Sequence, residues 1–284
     1  MLNTGYVRPR SLAEALAFLA ENDGKTKIVA GGTDVMVDLR AGTLKTEFLL
    51  DVSRLEALRG IALTGDGLEV GAAVTLSEIY SSKILETHAP ALKKSAVNFA
   101  SKQIRNVATI GGNVAHCSPC GDTLPALVIH EATAVLAGSA GEREVAIEEI
   151  ASGPYMCSLP KDEIITRFIL KPAKVDFADF QKIGRRKELA VARMSMAYMA
   201  NKDAEGKISF LRFSLGSCTP TPQRMPDVEA MLVGQVPDQT LLWEAGRVLA
   251  ENMIAITGRR ASAIYKEPAI QGLFMRMLYP MVDI

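Results

Sequence analysis

The chain has 284 residues, and its 32 Lys and Arg against 32 Asp and Glu leave a formal net charge of zero. That balance argues against a nucleic-acid groove, which needs an excess of cations along one face. With 48% hydrophobic and 23% charged residues the chain can build a buried core, and its length favours two domains.

Four cysteines (Cys117, Cys120, Cys157 and Cys218) are too few for a disulfide scaffold, and Met1-Leu2-Asn3-Thr4 opens no basic-then-apolar leader. A cytoplasmic protein is expected. No uncharged apolar run approaches the roughly 20 residues that cross a bilayer, so no membrane span is expected.

Along the chain, Ser11 precedes Leu12, Ala15, Leu16 and Leu19 at helical spacing, with Glu14 placed to complete a capping box. Lys27–Ala30 predicts a short strand that breaks on Gly31-Gly32-Thr33-Asp34, after which Val35, Met36, Val37 and Leu39 resume a buried pattern. Phe48–Val52 predicts a strand, and Ile61–Thr64 with Leu68–Ala72 a hairpin around Asp66-Gly67. Leu76–Ala100 reads as mainly helical. Ile104–Leu127 is irregular, with Gly111, Gly112, Pro119, Gly121 and Pro125 among small residues. Strands follow at Ala134–Ala137, Arg143–Ala146 and Ile164–Leu170.

A domain boundary is expected around Pro172–Asp176, because the pattern then simplifies. Strands at Phe177–Ile183, Met194–Asn201 and Ile208–Gly216 precede helices at Pro226–Leu232, Asp238–Met253 and Ser262–Leu278. A three-stranded antiparallel sheet covered by helices is the economical arrangement.

Familiar chemical devices are absent. There is no P-loop, and the only approach to a dinucleotide fingerprint, Gly65-Asp66-Gly67 to Gly71, lies in a hairpin and opens no helix. His130-Glu131 lacks the second zinc-binding histidine, Ala134 standing in its place. What remains is a pair of glycine-rich turns, Val29-Ala30-Gly31-Gly32-Thr33-Asp34 and Thr109-Ile110-Gly111-Gly112-Asn113, each expected to follow an apolar strand. Paired glycines let the backbone approach an anion and aim successive N–H groups at it, and Thr33, Thr109 and Asn113 add side-chain donors. Two such turns could grip a pyrophosphate from both sides; the alternative is that each is only a tight turn. On the first reading, alanine at Gly32 or Gly111 should block the anion without unfolding the chain.

These turns, with Gln103-Ile104-Arg105-Asn106-Val107-Ala108 leading into the second, resemble the FAD-binding subunit of the molybdenum hydroxylases, the family of xanthine dehydrogenase and aerobic carbon monoxide dehydrogenase. The resemblance spans essentially the whole chain. It includes Tyr6-Val7-Arg8-Pro9, Val70-Gly71-Ala72-Ala73-Val74-Thr75, Ser118-Pro119 with Asp122 and Pro125, Asp162-Glu163-Ile164-Ile165, Lys182-Ile183-Gly184-Arg185-Arg186, and Arg260-Ala261-Ser262-Ala263 with Tyr265-Lys266.

The resemblance implies an α+β protein. Residues 1–175 would form a two-subdomain FAD-binding domain of the vanillyl-alcohol-oxidase (PCMH) type, with subdomains of about 1–55 and 56–175. Residues 176–284 would form a small domain like the C-terminal domain of CO dehydrogenase flavoproteins. By the same implication Val29, Ala30, Gly31, Gly32, Thr33, Asp34, Val35 and Met36, with Thr109, Ile110, Gly111, Gly112 and Asn113, hold the pyrophosphate and ribityl chain of a non-covalent FAD. Asp122 meets the adenosine side, Ile165 packs near the cofactor, and Lys182 lies at the isoalloxazine. The implied partners are a small subunit with [2Fe-2S] clusters and a large molybdopterin subunit, with NAD or another acceptor receiving the electrons.

No catalytic acid–base constellation is visible, and flavin chemistry requires none, since the protein supplies binding and electrostatics. Two other readings stay open: a stand-alone flavin oxidase, for whose cap domain residues 176–284 leave little room, and a flavin-free scaffold. Cys117-Ser118-Pro119-Cys120 departs from the family pattern. It reads as small buried residues, as a redox or metal pair, or as a covalent flavin link through His116 or Cys117.

Overall fold

The computed structural model describes residues 4–282. Residues 1–3, on which the expectation about a leader partly rests, and 283–284, the end of the C-terminal segment, lie outside the described residues.

The first layer is a three-stranded parallel sheet of β1 (Gly5–Val7), β2 (Thr26–Val29) and β3 (Phe48–Asp51) in the order β1-β3-β2, wrapped by α1 (Leu12–Glu21) and α2 (Val35–Ala41). Ser11 caps α1 by accepting the Glu14 N–H, but the Glu14 carboxylate accepts from the Arg10 N–H (2.7 Å) rather than closing the expected box on Ser11. The segment after the first glycine pair is a short amphipathic helix: only Leu39 is buried, and Val37 is 61% exposed, so the expected continuous buried pattern does not hold there.

The second layer is a five-stranded antiparallel sheet with strand order β4-β5-β10-β6-β7. Its strands are β4 (Ile61–Leu63), β5 (Leu68–Gly71), β6 (Thr133–Gly138), β7 (Gly141–Ala146) and β10 (Ile164–Leu170). Between β5 and β6 run six short helices: α3 (Leu76–Ser81), α4 (Lys83–His88), α5 (Pro90–Val97), α6 (Lys102–Arg105), α7 (Ile110–Ala115) and α8 (Thr123–Ile129). A small hairpin, β8 (Ala151–Gly153) and β9 (Met156–Cys157), precedes β10. The second glycine pair thus lies inside a helix whose N-cap is Thr109, and the chain before it is a helical turn and loop. The expected apolar strand before it is not there.

The C-terminal sheet has four strands rather than three. They are β11 (Phe177–Gly184), β12 (Ala192–Lys202), β13 (Ile208–Gly216) and a two-residue β14 (Gln223–Arg224). β14 pairs with Ser214 and Leu215 of β13; two residues are too short to carry an alternation pattern. One face of this sheet is covered by α9 (Pro226–Leu232), α10 (Gln239–Thr257) and α11 (Ala263–Leu278), which pack on Met194, Met196, Tyr198 and Ala200. The period of two puts Ala178, Phe180, Ala197 and Met199 on the opposite face, where they join the core beneath the five-stranded sheet. Lys182 continues that face of β11. Among the described residues no helix is long and apolar enough to cross a membrane.

Candidate functional site

The first glycine loop leaves the end of β2, where Val52 N–H bonds the Val29 carbonyl (2.9 Å), and turns into α2. Gly32 adopts φ +69°, a left-handed conformation that favours glycine. Gly31 serves a different need: a Cβ there would sit 2.0 Å from the Val107 carbonyl oxygen, so the first loop lies backbone to backbone against the segment leading into the second. Among the described residues, the N–H groups of Gly31, Gly32, Thr33 and Asp34 find no acceptor in the chain. Donors left free in such a row are suited to an anion.

The second loop is built otherwise. Ile110 N–H bonds Val74 O (3.0 Å), Gly111 N–H bonds Ala72 O (2.9 Å), and Gly112 N–H bonds Thr109 Oγ1 (3.0 Å). Its backbone donors are therefore spent inside the protein, and it does not form the expected second nest. What it offers the cleft is the Thr109 side chain, the bare Gly112 and Asn113, whose Oδ1 is held by the Thr123 hydroxyl at 2.7 Å. Gly111 faces inward, since a Cβ would stand 2.7 Å from Ala72 O, so alanine there tests packing rather than anion approach. Thr109→Val, by removing the α7 cap, is expected to cost about 1 kcal/mol in urea unfolding and to free the Gly112 N–H.

Both loops line a cleft with Lys27, Phe99 and His116. Behind them opens a second cavity of about 310 Å³, walled by Val52, Leu58, Ala72, Ala73, Ile164 and Ile165, and lined by Gly111, Gly112 and Thr109 as well. Ile165 is thus beside the glycine loops, on the apolar side. A third cavity is bounded by Val97, Asn98, Ala100, Ser101, Lys102, Arg105, Lys182 and Lys187. Val35 lines the cleft; Met36, on the next position of α2, does not.

Asp122 and Lys182, assigned by resemblance to opposite ends of the cofactor, form an ion pair with each other, their side chains 6% and 9% exposed. Burial pushes the Asp122 carboxyl up to about 6, desolvation outweighing the attraction of Lys182, and its Oδ1 has no partner among the described residues. Four free N–H groups beside an apolar cavity that reaches Ile165 fit an anionic dinucleotide such as FAD.

The two cysteines of the Cys117–Cys120 stretch diverge. Cys117 is buried, its thiol 3.5 Å from the Val114 carbonyl and 3.8 Å from that of Ile150, while Cys120 is half-buried. Lys27, Phe99 and Cys157 are cavity residues that no motif in the sequence singled out.

Comparisons with known proteins agree with this chemistry. The chain is 35% identical over 228 residues to the xanthine dehydrogenase FAD-binding subunit of Escherichia coli O157:H7, covering 79% of this chain and 77% of that one. It is 28% identical to the nicotinate dehydrogenase FAD-subunit of Eubacterium barkeri, covering 98% and 96%. Its fold matches a chain of carbon monoxide dehydrogenase from Hydrogenophaga pseudoflava with a TM-score of 0.89 at 28% identity, covering 99% of both. Residues 2–172 match the family model described as FAD binding domain in molybdopterin dehydrogenase, and residues 179–281 the CO dehydrogenase flavoprotein C-terminal domain. By these matches over nearly its whole length, the chain belongs to the family of FAD-binding subunits of molybdenum hydroxylases.

Proposed function

We propose that this chain is the medium, flavin-carrying subunit of a cytoplasmic molybdenum hydroxylase, working between a small [2Fe-2S] subunit and a large molybdopterin subunit. In this reading residues 1–175 form the cofactor domain and 176–284 the flanking domain. Bound in the groove, FAD supplies the one- and two-electron chemistry by which electrons from the [2Fe-2S] centres reach NAD or another acceptor.

The chain's own residues bind and orient. The N–H groups of Gly31 to Asp34 take the pyrophosphate oxygens at the positive end of α2, with the side chains of Thr33, Thr109 and Asn113 opposite. Val29, Ala30, Val35 and Met36 support the first loop, and Ile110 and Gly111 anchor the second to the sheet. Ile165 and its apolar neighbours receive the adenine. Asp122 and Lys182 lie together at the isoalloxazine end, where the free Asp122 Oδ1 accepts a hydrogen bond and Lys182 steadies negative charge.

The observation that carries this reading is the row of four unpartnered N–H groups facing Thr109 and Asn113 across one cleft. The purified chain should quench added FAD at a stoichiometry of one per chain, and release it unmodified on denaturation. Its reduced flavin should be reoxidised by NAD or a dye. A chain that neither copurifies with flavin nor binds it on titration would overturn the assignment.

A further inference from the structure

We propose that Cys157 is a site of reversible thiol oxidation by a low-molecular-weight disulfide, with Cys117 as the resolving thiol. The product is an internal disulfide that ties the β8–β9 hairpin to the end of α7.

The geometry comes from the hairpin register. Ala151 pairs with Cys157, and the Ile150 carbonyl beside that pair accepts the Ser158 N–H at 2.8 Å. The Cys117 thiol lies 3.8 Å from the same Ile150 carbonyl, which sets its sulfur against the Cys157–Ser158 step. A second strut, Tyr155 N–H to Cys117 O at 2.8 Å, holds the hairpin over Cys117. Cys117 itself sits at φ +52°, a left-handed conformation at the end of α7 that turns its side chain inward.

The two sulfurs have different duties. Cys157 is exposed and lines the apolar cavity, so a reagent can reach it; Cys117 is 3% exposed and cannot be attacked from solvent. The nearness of the two thiols holds the Cys157 pKa down and, together with burial, raises that of Cys117. The Leu159 N–H and the Lys27 ammonium further favour a thiolate at Cys157. Neither of the other two thiols combines these features, since Cys218 is buried, its pKa pushed up to about 12, and Cys120 is half-buried.

The exchange balances. The Cys157 thiolate attacks one sulfur of a disulfide RSSR, forming Cys157–S–SR and expelling RS⁻, which takes up the proton that Cys157 had released to solvent. Cys117 then attacks the Cys157 sulfur, breaking its bond to SR, and the Cys117 proton passes to the departing RS⁻. The two protein thiols lose two electrons and two protons, and RSSR becomes two RSH. With the Cys117 sulfur beside the carbonyl that pairs with Ser158, side-chain rotation and a small shift of an exposed hairpin bring the two sulfurs to bonding distance. The chemistry needs no flavin, so it stands or falls apart from the function proposed above.

The test exposes the full folded chain to glutathione disulfide and maps its thiols by peptide mass spectrometry. Wild type should yield a Cys117–Cys157 linkage and two released glutathiones per chain, and limited proteolysis within the 151–157 hairpin should slow at least fivefold. Cys117→Ala should stop at a stable glutathione adduct on Cys157, Cys157→Ser should form neither product, and Cys120→Ser should match wild type. If the buried Cys117→Ala variant does not fold, the wild-type map and the exposed Cys157→Ser variant decide. An unmodified Cys157 in wild type, or preferential adducts on Cys120 or Cys218, would overturn the proposal.

Discussion

Gly31→Ala is expected to cost the chain both its flavin and much of its stability. The added Cβ would lie 2.0 Å from the Val107 carbonyl oxygen, 2.6 Å from its carbon and 2.9 Å from Ala108 Cα, all of them backbone atoms with no rotamer to escape through. The two loops must then part, at a cost of about 3 kcal/mol or more, which in a chain of this size lowers Tm by roughly 6–12 °C. Separation also moves the free N–H groups of the first loop away from Thr109 and Asn113. Gly112→Ala is the contrasting variant: its Cβ would meet only Thr109 Oγ1, at 3.0 Å, so flavin affinity should fall while Tm stays within a few degrees of wild type. Thermal melts with and without FAD, beside fluorescence titration, separate the two effects. Equal Tm in Gly31→Ala and wild type would show that the loops are not packed as described.

Lys182→Met is expected to have the other large effect. The substitution leaves Asp122 buried with neither carboxylate oxygen partnered, a cost of about 3–5 kcal/mol when one member of a buried ion pair is removed. The sign of the pH dependence follows from the direction of the Asp122 shift. Its folded pKa, already near 6 in the wild type and above that of an unfolded aspartate, rises further without the cation. The folded variant then holds a proton that the unfolded chain has released, so its stability is greatest at low pH and is lost as pH rises through the folded pKa. Unfolding of Lys182→Met followed from pH 5 to 8 should show that loss. The double variant Asp122→Asn with Lys182→Met should recover most of it, the coupling expected of a contacting pair. A flat pH profile in the single variant would remove Asp122 from the account.

Much of this was legible from residue types. The hairpin at Asp66-Gly67, the long strand at 164–170 and the three main strands after residue 176 follow from alternation and turn residues, and the structure has them within a residue or two. Alternation also suffices to set Lys182 on the face of β11 shared by Ala178 and Phe180. The glycine pairs announce close approach, but what approaches them is a matter of distant partners. Gly31 meets Val107 and Gly111 meets Ala72, contacts that no local pattern encodes.

The helix at 110–115 was hidden because two glycines weaken helix propensity, and its formation rests on the Thr109 cap and on bonds to Ala72 and Val74. The Asp122–Lys182 contact joins positions 60 apart, and the family resemblance alone sent them to opposite ends of the cofactor.

Strand β12 has one further consequence. Ala197 and Met199 plug the core of the cofactor half, while Met194, Met196 and Tyr198, on alternate positions, plug the core under α10 and α11. One strand is thus the common wall of two rooms, and neither can be opened without exposing the other to water. The halves matched by two separate family models are therefore expected to melt as one cooperative unit, with loss of helical ellipticity and release of flavin following the same temperature curve. Damage to the long C-terminal helices should then cost the chain its flavin as well.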